Sequence, residues 1–138
     1  VAREFNEGKT AMMQNGPWVL PMLKEAGTDY GIVSLSENGS PAAVLGGENI
    51  TIIKGKNAEG SLVFLNYCME NEELLKFCKS ASILPAKISA AKEMAAEDED
   101  MKVFEEQMNY AVSRTSVPQW ETIAQKLTDR MYSLVQEN

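Results

Sequence analysis

The stretch Phe5-Asn6-Glu7-Gly8-Lys9-Thr10-Ala11-Met12-Met13-Gln14-Asn15-Gly16-Pro17-Trp18 governs the reading of the whole chain. Residues 10–14 fit a short strand, and Asn15-Gly16-Pro17 stops it: glycine accepts backbone angles that other residues avoid, and proline fixes its own φ and has no N–H to donate. Trp18 follows directly. After it, Val19, Leu20, Met22 and Leu23 are apolar, Pro17 and Pro21 restrict where a helix starts, and Gly27 is well placed to end it. The spacing predicts an extended run, a tight turn and a short helix over residues 18–26, with a large aromatic at the junction.

Outward from this stretch, residues 30–35 alternate in character and contain β-branched Ile32 and Val33, which predicts a second strand. Residues 36–41 read as a polar loop with the turn pair Asn38-Gly39, and residues 50–53 as a third strand reached through Gly46-Gly47. From Asn57 the period lengthens. Leu62, Leu65 and Met69, with Val63 and Tyr67 alongside, predict a helix over residues 58–70 capped by Asn57. A second cap at Asn71 starts a helix carrying Leu74, Leu75 and Phe77, and residues 82–85 interrupt the pattern.

Residues 86–96 are weakly patterned and lead into the acidic run 97–100. That run lacks the alternating ligands and central glycine of a calcium loop, so it is read as a solvated helix start whose carboxylates favour the positive end of the helix dipole. Met101, Phe104, Met108 and Val112 mark a helix of about three turns. A last helix opens near Pro118 and runs through Ile123, Leu127, Met131 and Leu134. The fold class is therefore α/β, with short strands in the first third followed by mostly helices.

Composition narrows the function. At 138 residues and 44% hydrophobic content, one domain core is within reach. Apolar runs such as residues 62–65 are far shorter than the roughly 20 residues of a bilayer span. Thirteen basic against twenty acidic residues give a net charge of −7, and no Lys/Arg cluster offers a footprint for a phosphate backbone, so nucleic acid is not an expected partner.

The chain has no histidine, which excludes a Cys/His zinc site or catalytic pair built from Cys68 and Cys78. Spacing leaves open whether these two cysteines form a disulfide or remain buried free thiols. Glu7, Glu48 and Glu121 have no spacing that sets two carboxylates about 5 to 9 Å apart across a glycosidic bond. No nucleophile elbow or phosphate loop appears, so no catalytic residue, metal ligand or cofactor site is assigned. Val1 follows no initiator Met or basic-then-apolar leader, and the expectation is a segment of a longer protein.

The opening stretch follows the pattern F-x-x-G-x-x-A-M-x-x-x-G-x-W. In residue type and order it resembles the extracellular solute-binding proteins of the maltose-binding type, in which this pattern introduces the carboxy-terminal half. Asp29-Tyr30-Gly31-Ile32-Val33 is similar to that family's next strand and Gly46-Gly47-Glu48-Asn49-Ile50-Thr51-Ile52 to its crossing strand. The helix after Asn57 and residues 114–120 also have counterparts, so the resemblance covers nearly the whole chain. It implies the carboxy-terminal segment of a two-lobed periplasmic-binding-protein fold, with residues of about 1–45 and 100–138 in one lobe and about 46–99 in the other.

The resemblance also implies a function: noncovalent, cofactor-free capture of a sugar or oligosaccharide and its delivery to an ABC permease. The intact protein would be extracytoplasmic, whether secreted, periplasmic or lipid-anchored. It assigns Trp18 and Trp120 as stacking platforms. A pyranose presents a face of C–H groups that packs on an indole, and its hydroxyls need fixed partners, since a buried polar group without one costs about 1 to 3 kcal/mol.

Read from the residues alone, Trp18 is more often a core residue beside a helix start and Trp120 a packing residue on the last helix; the resemblance is what turns both toward a ligand. Gly46 and Gly47 allow close backbone approach to a ligand or simply a bend, while Glu48 and Asn49 alternate along the chain so that one of them faces a cleft. Arg114 offers five donors near the Pro118 turn, or is merely solvated. Two other classes stay open, a helix-rich interaction module and a fragment of a carbohydrate-active hydrolase. Strand edges left unpaired in a segment predict self-association when it stands alone.

Overall fold

The structure, a computed structural model, describes residues 1–35, 43–114 and 116–136. The loop expected over residues 36–41 lies outside the described residues. In order, the elements among the described residues are α1 (Ala2–Asn6), a 3-10 turn (Pro17–Val19), α2 (Leu20–Glu25), β1 (Ala43–Val44), α3 (Ala58–Cys68), α4 (Asn71–Ala81), α5 (Ile88–Glu97), α6 (Glu99–Gln107), a further 3-10 turn (Met108–Tyr110), β2 (Ala111–Val112) and α7 (Trp120–Gln136). The chain is mostly helical with a small sheet.

The helix ends follow from local chemistry. Pro17 opens the first 3-10 turn, where a missing N–H costs nothing, and it is buried. After α2, Gly27 takes φ +67°, which lets its N–H reach the Lys24 carbonyl (3.1 Å) and the Thr28 N–H reach that of Leu23 (3.0 Å), the paired bonds of a Schellman stop. The same pair closes α4, Ser82 N–H to Lys79 (3.3 Å) and Ile83 N–H to Cys78 (3.0 Å), but here a serine holds the left-handed position at φ +50°. The acidic run behaves as a helix start. Asp98 alone separates α5 from α6, and its Oδ1 accepts from the N–H groups of Asp100 (2.9 Å) and Met101 (3.2 Å).

The core gathers one face of several helices. Leu74, Leu75 and Cys78 of α4, Ala90 and Met94 of α5, Met101 of α6 and Leu20 of α2 form one buried cluster, with Tyr30, Ile32, Ile83, Leu84 and Phe104 packed against it. Alanines on the buried face of α5 allow α6 to approach closely, and these two helices make the most extensive contact among the described residues. By contrast, α3 and α7 have no buried residue, and α7 turns Ile123, Leu127, Met131 and Leu134 toward solvent.

The expected strands are the main correction. Residues 10–14, 30–35 and 50–53 are not strands, and Val112, expected at the end of a helix, lies in β2. A strand exists only when its backbone groups find a partner, and none of the three runs finds one among the described residues. Residues 30–35 nevertheless keep the predicted alternation: Tyr30, Ile32 and Ser34 are half-buried while Gly31, Val33 and Leu35 are exposed. Side chains hold this extended run along α6 in place of a ladder. The Tyr30 hydroxyl donates to Asp100 Oδ2 (2.8 Å), and Gln107 Oε1 accepts from Ser34 Oγ (2.7 Å) and from the Leu35 N–H (2.8 Å).

The sheet that does form is parallel, with Ala43 opposite Ala111 and Val44 opposite Val112, and the Leu45 N–H donates to the Val112 carbonyl at 2.8 Å. Residues nearly seventy positions apart are thereby aligned so that both chains leave the sheet at the same end.

Candidate ligand-binding surface

The turn bearing Trp18 is anchored on both sides. Leu20 and Leu23 are buried on α2, the turn packs against α6, and Asn15 Oδ1 accepts from the Gly16 N–H at 2.9 Å. The indole itself stays outside the core, with 62% of its surface exposed. It lies over the backbone of Gly16: a β-carbon there would stand 2.2 Å from Cη2 and Cζ3 of the ring. Trp120 begins α7, its N–H bonded to the Val117 carbonyl (3.0 Å), and is half-buried. The buried cluster contains neither indole.

Two of the other predicted residues are related through the sheet. Gly46 and Arg114 each stand two residues beyond a paired position, Val44 and Val112, at the carboxyl end of the parallel ladder. Gly46, Gly47, Glu48, Asn49 and Arg114 are all exposed, and a Cβ at either glycine would meet nothing within 4 Å. In open α/β sheets the carboxyl end of the strands is where ligands are held, because the chain turns away there and leaves a crevice. The pairing brings Gly46 and Arg114 to one end of the sheet, with Gly47, Glu48 and Asn49 following Gly46 along the chain, while Trp18 and Trp120 sit on separate elements, the turn before α2 and the start of α7.

Two features escaped the sequence reading. Residues 50–53 and α3 enclose an open groove of about 530 Å³, lined among others by Ile50, Ile53, Asn57, Phe64 and Leu65. The isoleucines were visible as a strand signal, but only packing shows that they wall a groove. The second feature is a charged knot at the foot of α6. Lys24 Nζ lies 2.9 Å from Asp100 Oδ2 and 3.7 Å from Asp98 Oδ2, and Tyr30 bonds the same Asp100 oxygen.

Burial alone would push the Asp100 carboxyl up; the bonds from Lys24 and Tyr30 outweigh it and hold the group below the ordinary carboxylate value. Burial followed by the bond to Asp100 pushes the Tyr30 phenol up, and the bond to Asp100 raises the Lys24 ammonium. Cys68 and Cys78 are both free thiols, and burial raises that of Cys78, so it behaves as a small apolar side chain in the core.

Residues 1–103 match the family model for bacterial extracellular solute-binding protein. Over 94 residues the chain is 30% identical to a maltooligosaccharide ABC transporter solute-binding lipoprotein of Streptococcus pneumoniae serotype 4, and equally so to the protein of the same name in a second strain of that species. The aligned region covers 65% of this chain and 22% of each relative, so the chain spans well under a third of the length of the curated relatives it matches.

Proposed function

Because the chain belongs to the bacterial extracellular solute-binding proteins, we propose that it serves the noncovalent capture of a sugar or oligosaccharide and its delivery to an ABC-type membrane permease. Membership in that family gives the protein an extracytoplasmic location. The pneumococcal relatives bear the name lipoprotein, and a lipid anchor at the cell surface is part of the proposal. Capture is taken to occur without turnover and without a cofactor.

The observation that carries the sugar reading is the exposed indole of Trp18 on a turn fixed to the core, a flat apolar face of the kind that packs on pyranose C–H groups. Gly46, Gly47, Glu48, Asn49 and Arg114 supply backbone amides, a carboxylate, an amide and a guanidinium for hydroxyl groups, and Trp120 a second aromatic. The proposal extends to a two-lobed fold with residues of about 1–45 and 100–138 in one lobe and about 46–99 in the other. The pairing of β1 with β2 joins residues 43–44 to 111–112, two stretches that this division assigns to one lobe, which supports it. The cluster uniting Leu20 with Leu74 is then read as the place where the lobes adjoin. Standing alone, the chain is proposed to self-associate through the exposed stripe of α7 and the outer edges of β1 and β2.

Calorimetric titration of the full-length protein with linear maltooligosaccharides tests this reading. Saturable heat with the sugar recovered intact is the expected result. Cleaved sugar would mean a hydrolase, and silence across the series, together with capture of a protein partner, would mean an interaction module; either outcome ends the importer proposal.

A further inference from the structure

The close approach of Trp18 to Gly16 has a functional reading, which rests on the sugar-capture proposal. Gly16 sits at φ −99° and ψ 174°, extended backbone that any residue adopts, so its conformation does not require glycine. What requires glycine is the space above it. A β-carbon at position 16 would fall 2.2 Å from two atoms of the indole and 2.6 Å from a third, far inside van der Waals contact. Because the ring is exposed, it is the ring that would give way.

We infer that Gly16 is the positioning residue of the Trp18 platform: the bare α-carbon is the bed on which the indole rests, leaving the opposite side of the ring to the sugar. The bed is itself rigid. The Gly16 N–H is held by Asn15 Oδ1 at 2.9 Å, its carbonyl accepts from the Val19 N–H at 3.4 Å, and buried Pro17 fixes the next φ. A platform whose ring is already oriented loses little rotamer freedom on binding, which is how preorganisation raises affinity. Any side chain at position 16 would tip the ring out of that orientation while leaving α2 and the core intact. Gly16 therefore acts on the ligand only through Trp18.

The test compares Gly16→Ala, Trp18→Ala and the double variant in the full-length protein, with maltotriose as the probe. Fluorine NMR on fluorotryptophan-labelled protein, with the Trp18 signal assigned by its loss in Trp18→Phe, reports the ring directly. Gly16→Ala is expected to shift that signal, to leave the melting temperature within about 2 °C, and to weaken binding roughly tenfold, the size of one stacked aromatic contact. Adding it to Trp18→Ala should cost nothing further, because both act on the same ring.

If Gly16→Ala leaves the signal or the affinity unchanged while Trp18→Ala weakens binding, the positioning role fails and the sugar reading stands. If Trp18→Ala itself leaves affinity unchanged, the stacking platform fails, and with it the inference. A melting temperature lowered by more than about 8 °C in Gly16→Ala would also overturn the role, since it would show that the α-carbon bears on the core and not on a movable ring.

Discussion

The hydroxyl of Tyr30 donates to Oδ2 of Asp100 across 2.8 Å, joining an extended run near the start of the chain to the first turn of α6, seventy positions later. Lys24 Nζ reaches the same oxygen at 2.9 Å, so one carboxylate ties α2 and residues 30–35 to α6. Among the described residues the run has no strand partner, and this bond and those to Gln107 hold it in place together with the packing of Tyr30 and Ile32 against the buried cluster.

Tyr30→Phe should therefore loosen residues 30–35 without breaking the core. A hydrogen bond to a charged group contributes about 1.5 to 3 kcal/mol when buried, and partial exposure at this site reduces that to roughly 1 kcal/mol. Urea denaturation of Tyr30→Phe, Asp100→Asn and the double variant measures it. A coupling energy indistinguishable from zero would mean the bond contributes nothing in solution.

Acid should find the same site. The folded-state pKa of Asp100 lies below its unfolded value, so its contribution is complete above the unfolded carboxylate pKa of about 4 and is lost as pH falls through the lower folded value. The stability difference between the parent protein and Asp100→Asn should hence be constant from about pH 7 to 5 and shrink below about pH 4. Chemical denaturation across that range checks the sign; a gap that widened on acidification would contradict it.

Ser82 offers a gain in stability. It closes α4 at φ +50°, where an L side chain costs about 1 to 2 kcal/mol and glycine costs nothing beyond its greater freedom in the unfolded chain. Ser82→Gly should raise stability by about 0.5 to 1 kcal/mol, and the melting temperature by a few degrees. A fall in melting temperature would show that the hydroxyl makes a contact outweighing the backbone relief.

The core and the face of α7 should respond differently. Met101 is 2% exposed within the central cluster, and Met101→Ala should cost about 2 to 5 kcal/mol through the cavity it leaves. Leu127 is 57% exposed, and Leu127→Ala in this chain, at dilutions where it is monomeric, should fall within about 0.5 kcal/mol of the parent. In the full-length protein the proposed two-lobed fold predicts a larger penalty at Leu127, because more chain would cover α7. Equal, small effects in both contexts would count against that architecture.

Position 50 onward illustrates what was legible. Ile50, Ile52 and Ile53 carry a strand signal, yet they line a groove beside α3 without pairing. Trp18 was legible as an aromatic at a rigid turn, but its rest upon Gly16 was not, since spacing says nothing about which way a ring leans. Gly46 and Arg114 were legible singly; their shared place at the end of the sheet needed the pairing of Val44 with Val112.

The amino-acid sequence by itself determined α2, α3, α4, α7 and the body of α6, with the stops of α2 and α4, together with the motif pattern that marks the family, because a helix bonds within a few residues of itself and a stop such as Gly27 is decided by local φ; α5, over the weakly patterned residues 86–96, and the end of α6 before Val112 were not legible. Tertiary structure alone decided which extended runs became strands, that Tyr30 and Lys24 would share Asp100, and that the apolar stripe of α7 would face solvent. Each of these depends on partners dozens of residues away, whose approach is fixed by packing and loop closure and leaves no periodic trace in the local sequence.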